Sequence, residues 1–174
     1  AVELKDANIT YRCFNRACEL GMTKTDEGAY RLRTQLPQGC NNPIITATKE
    51  GYLPTESVLT EDKLELLLTR LKKMNVKVIV HSYNPDDNKY IGTTDELLQN
   101  QKVSLRISLR GKEFDQYKEY PRDTEIELVE GKASYDIDAL LMSNNVHIGG
   151  YIGESVNITY SDIADYNTIL IHIV

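Results

Sequence analysis

The stretch KVSLRISLRG, Lys102 to Gly111, alternates without a break. Val103, Leu105, Ile107 and Leu109 fall on one face, and Ser104, Arg106, Ser108 and Arg110 on the other. A helix would scatter these apolar residues around its axis, whereas a strand gathers them on one side. NVKVIVHSY repeats the pattern, with Val76, Val78 and Val80 on one face and Lys77 and Ile79 on the other. NITYRCF sets Ile9, Tyr11 and Cys13 together, and AYRLRTQL turns Tyr30, Leu32 and, after a slip, Leu36 inward. TEIELVEG, ASYDIDALLM, VHIGGYIG, SVNITYS and NTILIHIV continue it. Sheets with one dry and one wet face pair antiparallel, and short strands at roughly 8–12-residue spacing predict a sandwich. The expected fold is all-β: tandem antiparallel β-sandwich units with at most short helical turns.

Two stretches resist this reading. TEDKLELLLTRLKKMN carries Leu64, Leu67, Leu68 and Leu71 at helical spacing but also divides into two strands, so residues 61–74 stay open between helix and strand. TTDELLQNQ reads as one or two turns of helix, with Thr93 and Glu96 in capping-box spacing. All three cysteines precede residue 72 and all three histidines follow it. This places a boundary there, with units at 1–72 and 73–174. No Gly/Ser linker marks the junction, so the units are expected to be coupled.

Charge and composition exclude several classes. The formal net charge of -6 leaves no basic face for nucleic acid, and no polybasic run serves an anionic membrane. No apolar stretch approaches the ~20 residues that span a bilayer, so no membrane insertion by this segment is expected. The start at Ala1 suggests a mature or excised fragment. Eleven tyrosines, with no tryptophan, suit half-buried strand surfaces and recognition.

GMTKTDEGAYRLRTQLPQGCNNPIITATKEGYLPTESVLT, within residues 21–60, resembles the carboxypeptidase regulatory-like and PEGA domains. The likeness rests on Gly21-Met22-Thr23, Asp26-Glu27-Gly28-Ala29-Tyr30, Leu36-Pro37-Gln38-Gly39 and Lys49-Glu50-Gly51-Tyr52. It departs at Cys40-Asn41-Asn42-Pro43 and in having cysteines. IELVEGKASYDIDALL looks like a second copy of the same phrase, and Gly149-Gly150-Tyr151 echoes its closing turn. The resemblance implies transthyretin-like or immunoglobulin-like sandwiches and a non-catalytic role outside the cell. Physical chemistry agrees on Asp26-Glu27-Gly28, a turn-forming triplet.

The candidate sites are few. Cys13, Cys18 and Cys40 admit a zinc reading, but zinc takes four ligands and no histidine lies near them in sequence. A disulfide closing a hairpin between Cys13 and Cys18 is the expectation, with Cys40 free or itself the partner of one of them. Asn8-Ile9-Thr10 and Asn157-Ile158-Thr159 are N-glycosylation sequons. NPDDNKYIG spaces Asn84, Asp86, Asn88 and Tyr90 as oxygen donors but lacks the glycine and distal glutamate of a calcium loop, so it reads as a solvated turn. His81, His147 and His172 read as strand residues. NTILIHIV is apolar on both faces, which predicts a central strand, and AVELKDANITY is expected to reach an edge of its own unit or of another copy.

The expected function is a non-catalytic extracellular structural or interaction module of a cell-surface protein or assembly. Its partners would be proteins or further copies docking on strand edges; no enzyme activity and no cofactor are expected, and a small-molecule ligand is left open. The alternatives are an accessory carbohydrate- or peptide-binding domain of a secreted enzyme, and a metalloenzyme using the histidines.

Overall fold

The computed structural model describes residues 4–84, 86–87, 89–94, 97–153 and 155–174, and only the backbone of Tyr83, Tyr90 and Thr94. The regular structure of the described chain is all strand apart from one six-residue helix. It divides into two compact units, Ala1–Leu71 and Lys72–Val174.

The first unit holds β1 (Asn8–Cys13), β2 (Arg16–Met22), β3 (Lys24–Asp26), β4 (Ala29–Arg31), β5 (Ile44–Thr48), β6 (Tyr52–Leu53) and β7 (Thr55–Val58). An antiparallel sheet runs β2-β1-β5-β7. Alternation buries Tyr11, Ile45 and Ala47 on its inner face. Strands β3 and β4 form a separate hairpin whose turn residues, Glu27 and Gly28, have φ of 49° and 82°. Two successive positive φ values make a type I′ turn, the one that matches strand twist. The acidic triplet is therefore turn chemistry, and Arg33 pairs with both Asp26 and Glu27 at 2.6 Å. Tyr30, expected inward, is 40% exposed, and Ala29 takes the buried position. The three-residue strand takes its phase from the turn, and residues 32–43 follow without regular structure. Ahead of β1, the hydroxyl of Thr23 donates to the carbonyl of Leu4 and accepts from the Ala7 amide. The described part of the N-terminal segment is thus bound within its own unit.

The second unit contains most of β8 (Thr69–Asn84), then β9 (Lys89–Thr94), β10 (Gln101–Leu109), β11 (Asp115–Tyr120), β12 (Glu125–Val129), β13 (Ala133–Ser143), β14 (Val146–Ile152), β15 (Val156–Ile158), α1 (Tyr160–Asp165) and β16 (Thr168–Ile173). One sheet runs β11-β10-β13-β14, with β15 also on β13; the other runs β12-β8-β16, with β9 also on β8. Val103, Leu105, Ile107 and Leu109 are all buried, as their alternation predicts, together with Tyr135, Ile126, Leu128 and Ile173.

The edges of these two sheets are stitched to each other. On one side the Gln116 carboxamide of β11 donates to the Glu127 carbonyl of β12 and accepts from its amide, at 2.6 and 2.8 Å. On the other side the amide of Gly150 in β14 donates to the Val174 carbonyl, and the Val174 amide donates back to Gly150. A Cβ on Gly149 would stand 2.2 Å from the Val174 carbonyl oxygen, so this approach requires glycine.

Three expectations are corrected. Residues 61–68 are neither helix nor strand; Leu64, Leu66 and Leu68 are half-buried while Leu67 is exposed, a period of two. Thr93 lies inside β9 rather than at a helix start, and Glu96 lies outside the described residues. The C-terminal strand is not central: β16 ends its sheet, parallel to β8, with Leu170 53% exposed on the outer face. Its apolar outer residues thus stay wet.

Candidate functional site

The expected bond between Cys13 and Cys18 does not form. Cys13 is bonded to Cys40, and Cys18 is a free, exposed thiol. The reason lies in register. The turn between β1 and β2 is only Phe14-Asn15, with Phe14 at a φ of 50°, so Cys13 faces Arg16 and Cys18 faces Tyr11. Cys13 and Cys18 are diagonal rather than opposed. Pairing of β1 with β5 sets Arg12 against Ile44, which brings the segment ahead of β5 beside the end of β1. Cys40 arrives there with 6.0 Å between Cα atoms, inside the range a disulfide spans. With two sulfurs bonded to each other, three thiolate ligands for zinc are not available. Among the described residues no group of three or more His, Cys, Asp or Glu side chains is arranged to hold a metal ion.

Beside the disulfide lies an open hollow of about 260 Å³, walled by Tyr11, Leu36, Pro37, Cys40, Pro43 and Leu59, with an acidic rim. The Tyr11 hydroxyl donates to the Pro37 carbonyl across 3.4 Å. Leu36, expected to plug the core, is half-buried in this wall.

Strand β2 is the edge of its sheet and pairs, among the described residues, only with β1. Arg16 to Glu19 are all exposed. Phe14 at the hairpin tip is 85% exposed and Met22 at the far end 48%. An edge of this kind presents unpaired backbone groups to another strand. Its own modifiers are the charges of Arg16 and Glu19 and a register shift between Ile9 and Thr10 that leaves Leu20 without a partner.

The two sequons are placed differently. Asn8 lies between β2 and β5, opposite Met22 and Thr48, and is half-buried. Asn157 is exposed on β15, and its side-chain oxygen meets the Ser134 hydroxyl. In the NPDDNKYIG loop the Asn84 side chain accepts from the Asp86 amide and donates to Asp87, a local turn device; Asn88 lies outside the described residues, as does the Tyr90 side chain. Tyr117, Tyr160 and Tyr166 are each more than half exposed.

Sequence spacing did not bring the histidines together, but the sheet does. The parallel pairing of β8 with β16 sets His172 beside Ile79, so His81 is its diagonal neighbour on the outer face. Nε2 of His81 and Nδ1 of His172 are 2.7 Å apart. His147 stands elsewhere, on β14 opposite Met142.

The outer face of the other sheet carries charge. Arg106 reaches Asp115 at 3.5 Å and Asp138 at 3.9 Å, and Lys102 reaches Glu119 at 2.8 Å. Hydrogen bonding from Lys102 holds the Glu119 carboxyl below its ordinary range, and Arg122 does the same for Asp123. These exposed pairs solvate the sheet face. No helix among the described residues is long and apolar enough to cross a membrane. No protein-family model, no curated protein and no solved structure matches the chain.

Proposed function

We propose that this chain is a non-catalytic interaction segment of an extracellular or cell-surface protein, its first unit of the PEGA or carboxypeptidase regulatory-like kind. The observation that carries the proposal is the open edge of β2, exposed from Arg16 to Glu19 and flanked by Phe14. The Cys13–Cys40 bond supports an oxidising compartment and anchors this hairpin next to its tip. The occupant of the edge is a second copy of the chain. Antiparallel pairing of two β2 strands, centred between Ala17 and Cys18, sets Arg16 of each copy opposite Glu19 of the other. Opposite charges across a strand pair favour that register.

Sedimentation of the purified chain tests the reading. It should self-associate with rising concentration, and Ala17→Lys should return it to a monomer without loss of β-sheet circular dichroism. A chain that stays monomeric at all concentrations, or a variant that associates as before, rejects β2 as the contact. One observation favours the accessory-domain alternative: the hollow beside the disulfide, with its mixed apolar and acidic lining. At about 260 Å³ it falls short of the roughly 300–1,000 Å³ typical of ligand pockets.

A further inference from the structure

We propose that His81 and His172 form a two-nitrogen chelate for a divalent transition ion of the Cu²⁺, Ni²⁺ and Zn²⁺ class. The inference is independent of the β2 contact, because it concerns the outer face of the β12-β8-β16 sheet.

The placement is a product of topology. His81 and His172 stand 91 residues apart in the chain, and the parallel ladder from Thr168↔Asn75 to Ile173↔Val80 brings them to one face. Their backbones are held by this ladder, and β9 flanks His81 on its other side, with Thr93 opposite. The inward residues Val76, Val78, Ile171 and Ile173 are buried and lock the phase of both strands. The two backbones therefore hold both imidazoles on the outer face, where an ion can reach them.

The ring geometry is one step from chelation. The ring centroids are 5.0 Å apart with planes at 27°. That separation is the 2.7 Å nitrogen contact lengthened by the two ring radii, so the rings meet almost head-on. One nitrogen gives a proton to the lone pair of the other. A metal replaces that proton. Two bonds of about 2.0 Å at a right angle need nitrogens about 2.8 Å apart, close to the present spacing, and a tetrahedral angle needs about 3.3 Å. Each ring must then turn about its side-chain torsions so that both lone pairs converge on the ion; His172 is exposed and His81 half-buried. A right-angled pair suits the tetragonal preference of Cu²⁺ and Ni²⁺ over the tetrahedral one of Zn²⁺. Imidazole nitrogen selects this class over Mg²⁺ and Ca²⁺, which take oxygen. Among the described residues no third His, Cys, Asp or Glu joins the pair.

The test uses the tag-free chain carrying Cys18→Ser, which removes the exposed thiol as a competing ligand. Melting temperature and calorimetric titration are followed at neutral pH with CuCl2, NiCl2, ZnCl2 and MgCl2. The expected result is one ion per chain in the order Cu²⁺ over Ni²⁺ over Zn²⁺, no response to Mg²⁺, and a melting rise of roughly 3 °C at several times the dissociation constant. His81→Ala and His172→Ala should each weaken binding by about tenfold or more, and His147→Ala should leave it unchanged. His172→Gln retains a hydrogen-bond partner for His81 but offers no imidazole, so it should keep the apo melting temperature and lose the metal response. Absence of a metal response in the parent chain overturns the proposal. So does a response that survives His172→Gln or disappears with His147→Ala.

Discussion

Tyr135 shows how one side chain can serve two purposes in a sandwich core. Its ring is fully buried between the sheets, and its hydroxyl accepts the amide hydrogen of Val129 at 2.7 Å, where β12 ends. Burial pushes the phenol pKa up, and the Val129 amide offsets part of that rise. Replacement by phenylalanine keeps the ring but strands a buried amide donor. Tyr135→Phe should therefore destabilise the protein by about 1–3 kcal/mol, read from urea denaturation, with little change in the slope of the transition. A neutral result would mean that water satisfies the amide. Glycine does the opposite job at Gly149, where the absence of a side chain lets the last residue of the chain close against β14.

At the scale of elements, the helix α1 carries its own start signal. The Thr159 hydroxyl accepts from the Asp162 amide, and the Asp162 carboxylate accepts from the Thr159 amide at 2.8 Å, a reciprocal capping box. Thr159→Ala should cost about 1 kcal/mol in chemical denaturation. The Asp162 carboxyl lies below its ordinary pKa because the Thr159 hydroxyl, then the Thr159 amide, favour its ionised form. A carboxyl lowered in the folded state stabilises fully above its unfolded pKa. The contribution is lost as pH falls through the lower, folded value. Stability of the parent chain should therefore decline more steeply on acidification than that of Asp162→Asn. Denaturation midpoints across the acid range check this, and identical profiles would remove the capping box from the account. The Gln116 clamp follows a similar logic across sheets: one amide side chain supplies the donor and the acceptor that a missing ladder would have provided.

At the scale of the molecule, the covalent link decides the redox behaviour. Cys13 and Cys40 close a loop with a sequence separation of 27, and the chain-entropy relation assigns such a loop about 3.5 kcal/mol. Alkylation of the native, non-reduced protein should label Cys18 alone, and peptide mapping should recover Cys13 joined to Cys40. Cys13→Ser should lower the melting temperature, whereas Cys18→Ser should not. Labelling of all three cysteines in the native protein would remove the bond and, with it, the argument for an oxidising compartment.

The fold class could be read directly, because period-two alternation over nine residues, from Lys102 to Arg110, is the pattern of a half-buried strand. The Glu27-Gly28 turn was legible for the same local reason: residue type alone selects positive φ there. The short helix Tyr160–Asp165 was missed: SVNITYS carries the strand pattern on to Ser161, and the capping-box spacing of Thr159 and Asp162 was the signal that could have found it. The same spacing at Thr93 and Glu96 had no such meaning, because β8 recruits Thr93 into a ladder. Tertiary structure alone decided the long-range partners. Cys13 bonds to Cys40 because β5 pairs with β1, and His81 meets His172 because β16 lies parallel to β8. Alternation tells each strand which face to bury, since that depends only on its own residues. It does not choose the neighbouring strand, since backbone hydrogen bonds are the same for every candidate and the choice rests on how the whole core packs.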